Sequence, residues 1–139
     1  MTVKSRLLEL LEQHKGETLS GEDIGRELSC TRAAVWKAVN SLRQEGYPIE
    51  AGPNKGYMLA RESNLISAEG IRLFLEDPQV EIKIFDAISS TNLEARQLAV
   101  SGMAGHGSFV VAMEQTAGRG RRGREFYSPK GSGIYLSVI

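Results

Sequence analysis

TRAAVWKAVNSLRQ, residues 31–44, decides how the first part of the chain folds. Val35, Ala38, Val39 and Leu42 recur at i, i+3, i+4 and i+7 and line one stripe of an α-helix. At about 100° per residue, Ala33, Lys37, Asn40 and Gln44 point away from that stripe, with Arg32, Trp36 and Arg43 on its shoulder. The segment holds three basic residues and no acidic one. Thr31 is the expected N-cap, because its hydroxyl can accept from the N–H groups that open a helix. Gly46 is the expected stop.

Working outward, Val3, Leu7, Leu10 and Leu11 predict a first helix to about Gln13, stopped by Gly16. Ser20 stands three residues before Asp23, a capping arrangement for a short second helix through Leu28. Only Ser29 and Cys30 separate it from the third, which gives a helix-turn-helix. Downstream, Ile49-Glu50-Ala51, the turn Gly52-Pro53-Asn54-Lys55-Gly56 and Tyr57-Met58-Leu59 predict a hairpin with Lys55 at its tip. Three helices and a hairpin make a winged helix-turn-helix domain over residues 1–60. Its expected DNA-facing set is Thr31, Arg32, Ala33, Trp36, Lys37, Asn40 and Lys55. Short side chains let the helix approach the major groove, and Arg32, Lys37 and Asn40 reach phosphates or base edges. A small helical domain with a solvated basic face has the same pattern, and a Trp is more often a packing residue than a base contact.

Composition sets the broad class. The 139 residues carry 17 Lys+Arg against 17 Asp+Glu, with 41% hydrophobic and 24% charged residues, the balance of an ordinary globular protein. This excludes a disordered charged tail, a collagen-like repeat and a membrane protein, since no apolar run approaches the roughly 18 residues of a span. No export signal opens the chain, and the lone Cys30 suits a reducing cytoplasm. The zero net charge hides a local excess: residues 115–139 hold five basic groups and one acidic group.

Residues 61–67, beginning Arg61-Glu62-Ser63-Asn64, read as a polar linker. Ser67 is expected to open a helix with Ile71, Leu73, Phe74 and Leu75 as apolar residues, ended by Asp77-Pro78. Val80, Ile82 and Ile84 predict a strand, Phe109–Met113 a buried one and Ile134–Ile139 another. Between the first two lies a helix to about Val100, with Thr91 and Glu94 at capping-box spacing. The fold class is α+β, with a second domain over 68–139. Gly118-Arg119-Gly120-Arg121-Arg122-Gly123 fits G-x-G-x-x-G, but Arg124-Glu125-Phe126-Tyr127-Ser128-Pro129 follows instead of a helix, which rules out a dinucleotide fingerprint. What remains is a flexible strand-to-strand loop whose four arginines can fold over a phosphate or carboxylate. The alternatives are a solvated arginine loop or a nonspecific RNA contact. No metal site is expected.

Ser90-Thr91-Asn92, the run Glu114 to Arg124, and Ser128-Pro129 together resemble the biotin protein ligase family, and the winged helix resembles its bifunctional branch, the biotin operon repressor. The resemblance implies that residues 68–139 are the first part of a mixed α/β, class II synthetase-like ligase domain. It implies biotin and ATP (with Mg2+) as substrates, biotinyl-5′-AMP as intermediate, and transfer to a lysine of a biotin carboxyl carrier protein. It also implies a cytoplasmic homodimer that forms on adenylate binding and occupies operator DNA. Ser90, Thr91, Asn92 and Gln115 would bind biotin. Gly118, Arg119, Gly120 and Arg121 would close over biotin and phosphate, with Arg119 and Arg121 serving catalysis and Phe126 as an aromatic wall. Phe126 stands where the family commonly has Trp. The Lys-Trp-Pro-Asn-Asp segment that supplies the family's catalytic lysine, and the C-terminal β-barrel, are absent from these 139 residues. The sequence is therefore expected to be an N-terminal portion that does not ligate biotin alone. The other function class is a stand-alone winged-helix regulator with a non-catalytic, anion-sensing domain.

Overall fold

A computed structural model describes residues 1–139 apart from residues 53, 54 and 78. The expected turn residues Pro53 and Asn54 and the expected helix stop Pro78 lie outside the described residues. The chain forms two compact units, Met1–Leu75 and Glu76–Ile139.

In the first unit, α1 (Val3–Gln13), α2 (Gly21–Glu27) and α3 (Arg32–Gln44) each begin on a hydroxyl cap. Thr2, Ser20 and Thr31 accept from the N–H groups of Ser5, Asp23 and Ala34, which satisfies donors a helix start leaves orphaned. Leu7, Leu11, Ile24, Val35, Val39, Leu42 and Leu59 close the core. Gly46, at φ +94, makes the left-handed exit from α3 that a side chain would oppose. The chain then pairs β1 (Ile49–Gly52) with β2 (Gly56–Leu59) antiparallel, Ile49 opposite Leu59. Arg43 donates to the Ile49 carbonyl at 2.8 Å, tying this wing to α3. The winged helix-turn-helix is as expected.

The next helix is shorter than its pattern suggests. α4 spans Ala68–Arg72, has no buried residue, and leaves Phe74 89% exposed. Leu73, Phe74 and Leu75 are consecutive, so a helix would spread them over about 200° and could not bury them on one face. The first unit also runs past residue 60. Lys15 Nζ donates to the Ser63 carbonyl at 2.8 Å, and Ser67 Oγ donates to Glu12 Oε1 at 3.0 Å. Residues read as linker are thereby bonded to α1 and its C-terminal turn.

The second unit is a three-stranded sheet in the order β3 (Ile82–Phe85), β4 (Phe109–Ala112), β5 (Tyr135–Val138). β3 and β4 are parallel and joined through α5 (Thr91–Val100), while β5 returns antiparallel to β4. Ala95, Leu98, Ala104 and Val110 form its buried cluster. Along β5, Tyr135 and Ser137 are buried, while Leu136 and Val138 face out. The start of α5 departs from expectation. Ser90, not Thr91, is the N-cap residue, and its side chain makes no capping bond.

Burial, then the carboxylates of Glu69, Glu12 and Glu45, raise the pKa of Tyr47 above its ordinary 10.0, with Ser67 acting in the opposite direction. Between the unfolded and folded values the unfolded phenol has lost a proton that the folded one retains, so rising pH favours unfolding. The stabilisation is complete below pH 10.0 and falls as pH rises through the folded value. Tyr47→Phe should flatten that alkaline decline, measured as urea midpoints at about pH 9 and pH 11. An equal decline in both proteins would exclude Tyr47 as its source.

Candidate functional site

Two surfaces carry the residues singled out by sequence. On α3, Thr31, Arg32, Ala33 and Lys37 are exposed, Asn40 is half-buried, and Lys55 is exposed beside the wing turn. Trp36 is 61% exposed and so is not a packing residue. The Thr31 hydroxyl is engaged as the cap of α3. Among the described residues, Arg32, Lys37 and Lys55 have no ion-pair partner, whereas Lys4 pairs with Glu45 and Arg26 with Glu22 and Asp23.

The second surface is built around Gln115, just past β4. Its Oε1 accepts from the Thr91 backbone N–H at 2.8 Å and from Thr91 Oγ1 at 3.1 Å. Its Nε2 donates to Ser128 Oγ at 3.1 Å, and Ser128 Oγ donates to the Phe126 carbonyl at 3.0 Å. Thr91 thus receives its helix-opening acceptor from 24 positions away. The arginine-rich segment is not an open loop. Gln115 N–H bonds the Ser128 carbonyl, Phe126 N–H the Gly118 carbonyl and Gly120 N–H the Arg124 carbonyl, closing a hairpin. At its tip is a short 3-10 turn, Arg121–Gly123, in which Arg122 takes φ 58 and ψ 33, a strain of about 1 kcal/mol for a residue with a Cβ.

The hairpin walls an open cleft of about 690 Å3 lined by Gln115, Gly118, Arg119, Arg124, Phe126 and Tyr127 among others. Four expected residues, Gln115, Gly118, Arg119 and Phe126, therefore meet there. Gly120 and Arg121 line a neighbouring cavity of about 380 Å3 that shares Arg124 and Phe126. Thr91 joins through Gln115. Ser90 is buried and Asn92 exposed, and neither lines these two cavities. Among the described residues, none of Arg119, Arg121, Arg122 and Arg124 has an ion-pair partner, while Lys130 pairs with Asp86. Unpaired guanidinium forks on one turn favour an anionic ligand.

Two buried serines escaped the sequence reading. Ser128 was visible only as part of a motif. Ser137 Oγ lies 2.9 Å from Thr91 Oγ1 and 2.6 Å from Asn92 Oδ1, linking β5 to the first turn of α5. A serine at an inward position of an otherwise apolar strand was the available signal.

Comparison with known proteins agrees with this division. Residues 3–58 match the HTH domain family and residues 84–139 the biotin/lipoate A/B protein ligase family. The first match lies within the first unit and the second within the second. It is similar over nearly all of its length to the bifunctional ligase/repressor BirA of Bacillus spizizenii, at 41% identity over 99% of this chain and 43% of that protein. BirA of Escherichia coli is 38% identical, over 99% of this chain and 41% of that protein. The chain therefore spans about two fifths of the length of these relatives. A solved biotin protein ligase from Leishmania major in complex with biotinyl-5-AMP covers 40% of this chain and 22% of that one, at 40% identity and TM-score 0.33.

Gly118 has no room for a side chain. A Cβ there would lie 2.5 Å from the Phe126 carbonyl oxygen and 2.7 Å from Ser128 Oγ. Gly118→Ala should destabilise the second unit by about 1–3 kcal/mol and speed tryptic cleavage after Arg119 to Arg124. Wild-type unfolding and cleavage rates in the variant would contradict the close packing.

Proposed function

We propose that this chain is the DNA-binding and biotin-binding part of a biotin protein ligase that also represses transcription in response to biotin. The observation that carries the reading is the closed hairpin whose four arginines have no ion-pair partner among the described residues, fixed to α5 through Gln115, in one chain with a winged helix whose outward cations Arg32 and Lys37 likewise have none among them. In the reaction, a biotin carboxylate oxygen attacks the α-phosphorus of ATP, held with Mg2+, and pyrophosphate leaves. The amine of a carrier-protein lysine then attacks the acyl carbon, and AMP leaves. Bringing a carboxylate to a triphosphate sets like charges together. Arg119 and Arg121 offset that repulsion and stabilise the charge that develops at phosphorus, the preorganised electrostatic role of fixed donors. Ser90, Thr91, Asn92 and Gln115 supply polar groups for biotin, Gly118 and Gly120 let the backbone approach it, and Phe126 supplies an apolar wall. No side chain serves as nucleophile.

On the DNA side, Thr31, Arg32, Ala33, Trp36, Lys37 and Asn40 form the groove-facing surface of α3, and Lys55 reaches phosphate from the wing. The protein acts in the cytoplasm as a homodimer assembled when the adenylate is bound, with operator DNA and a biotin carboxyl carrier protein as partners.

Incubated with biotin, ATP, Mg2+ and a carrier domain, these 139 residues alone should release no pyrophosphate and label no acceptor, and labelling at an enzymatic rate would overturn the reading of the chain as a part of the ligase. Operator binding that biotinyl-5′-AMP leaves unchanged would remove the biotin-responsive part of the reading. For DNA, Arg32→Ala and Lys37→Ala should each weaken operator binding, and loss of a phosphate contact should lower the slope of log K against log salt by about 0.9. Unchanged affinity in both variants would remove the recognition-helix assignment.

A further inference from the structure

We propose that Ser128 is a positioning residue that fixes the Gln115 amide with its oxygen toward α5 and its nitrogen toward the arginine hairpin, so that Gln115 offers the cleft an N–H donor. The inference rests on the biotin reading of the cleft only for the identity of the ligand.

Donor and acceptor roles at both ends of the amide force one orientation. The Thr91 backbone N–H can only donate, so the amide atom 2.8 Å from it is the oxygen. The Phe126 carbonyl can only accept, so it takes the single hydroxyl hydrogen of Ser128, 3.0 Å away. Ser128 then has only lone pairs to offer, and the amide atom 3.1 Å from it must be a donor, the nitrogen. A flipped amide would set N–H against N–H at one end and leave two acceptors facing each other at the other. Gly118 seals the arrangement, since a Cβ there would fall 2.7 Å from Ser128 Oγ and 3.2 Å from Gln115 Nε2.

One Nε2 hydrogen goes to Ser128, and among the described residues the other has no hydrogen-bond partner. Gln115 lines the cleft, so the matching ligand group is an acceptor, a carbonyl or carboxylate oxygen. Ser128 is itself 2% exposed and acts through Gln115 rather than on the ligand.

The test uses the 139-residue chain. In the ligand-free wild type, 15N-edited NMR should place a Gln115 Nε2 hydrogen beside the Ser128 β-protons. Nε2 hydrogens found against the Thr91 amide hydrogen would overturn the proposal without any variant. Biotin and biotinyl-5′-AMP are then titrated calorimetrically into the wild type, Ser128→Ala, Gln115→Ala and the double variant. Ser128→Ala should weaken binding about tenfold, the scale of one hydrogen bond, and should have no further effect in the Gln115→Ala background. An equal loss in both backgrounds, or none in either, would overturn it. If the wild type binds neither compound, the biotin reading fails, and the NMR signature alone decides the role of Ser128.

Discussion

A single side-chain amide, that of Gln115, connects α5 to the arginine hairpin in the second unit. Its oxygen supplies the acceptor that the first N–H of α5 lacks, and its nitrogen holds Ser128 at the return of the arginine hairpin. The backbone bond from Gln115 N–H to the Ser128 carbonyl closes the same hairpin at its base. Each such bond contributes only about 1 kcal/mol net, yet removing a partner leaves a desolvated donor that costs about 1–3 kcal/mol. The amide is therefore worth more as a fixed junction than any one of its bonds suggests. It sets where the hairpin leaves the sheet and hence where the guanidinium groups stand.

Charge gives the hairpin its direction of response. Four arginines within residues 119–124, with one glutamate following, repel one another, although exposure and salt weaken the repulsion. Backbone bonds across the turn and the left-handed Arg122 keep that charge concentrated. On the proposed function, an anion would meet a geometry already formed instead of collecting scattered side chains. The winged helix follows the same logic. Its basic side chains on α1 and α2 are paired or bonded, as with Lys4, Arg6 and Arg26, whereas Arg32 and Lys37, facing outward from α3, have no ion-pair partner among the described residues.

How much of this the sequence revealed depends on the range of each interaction. The first three helices were legible, the second and third down to their caps, because Ser20 and Thr31 bond N–H groups three residues on and the core stripe repeats within one helix. The hairpin tying β1 to β2 was equally local. α4 was read too long because three adjacent apolar residues look helical in composition but cannot share a face. At α5, the capping-box spacing of Thr91 and Glu94 was real in the sequence, but an acceptor from Gln115 displaced it. Asn92, Gln115 and a binding role for Thr91 came from family resemblance alone, whereas the arginines also stood out by their local charge. Their arrangement was not legible, because it rests on contacts between residues 13 to 46 positions apart. Ser128 and Ser137 act only through those contacts, which is why local patterning passed over them.

The same long-range contacts also hold the second unit together. Its described buried hydrophobic residues are Ile82, Ala95, Leu98, Ala104, Val110, Val111, Ala112 and Tyr135, three of them alanines, against twelve in the first unit. With so little apolar area removed from water, the polar chain from Ser137 through Thr91 and Gln115 to Ser128 is a substantial part of what joins β5, α5 and the hairpin. Ser137 strengthens this dependence. Its hydroxyl has one hydrogen and two oxygens within reach, on Thr91 and Asn92, so it links the strand to the helix start whichever it donates to. Packing and the shape of the cleft are thus built from one set of bonds. A change that loosens the site therefore also loosens the unit, and the site's order cannot be improved independently of the small core beneath it.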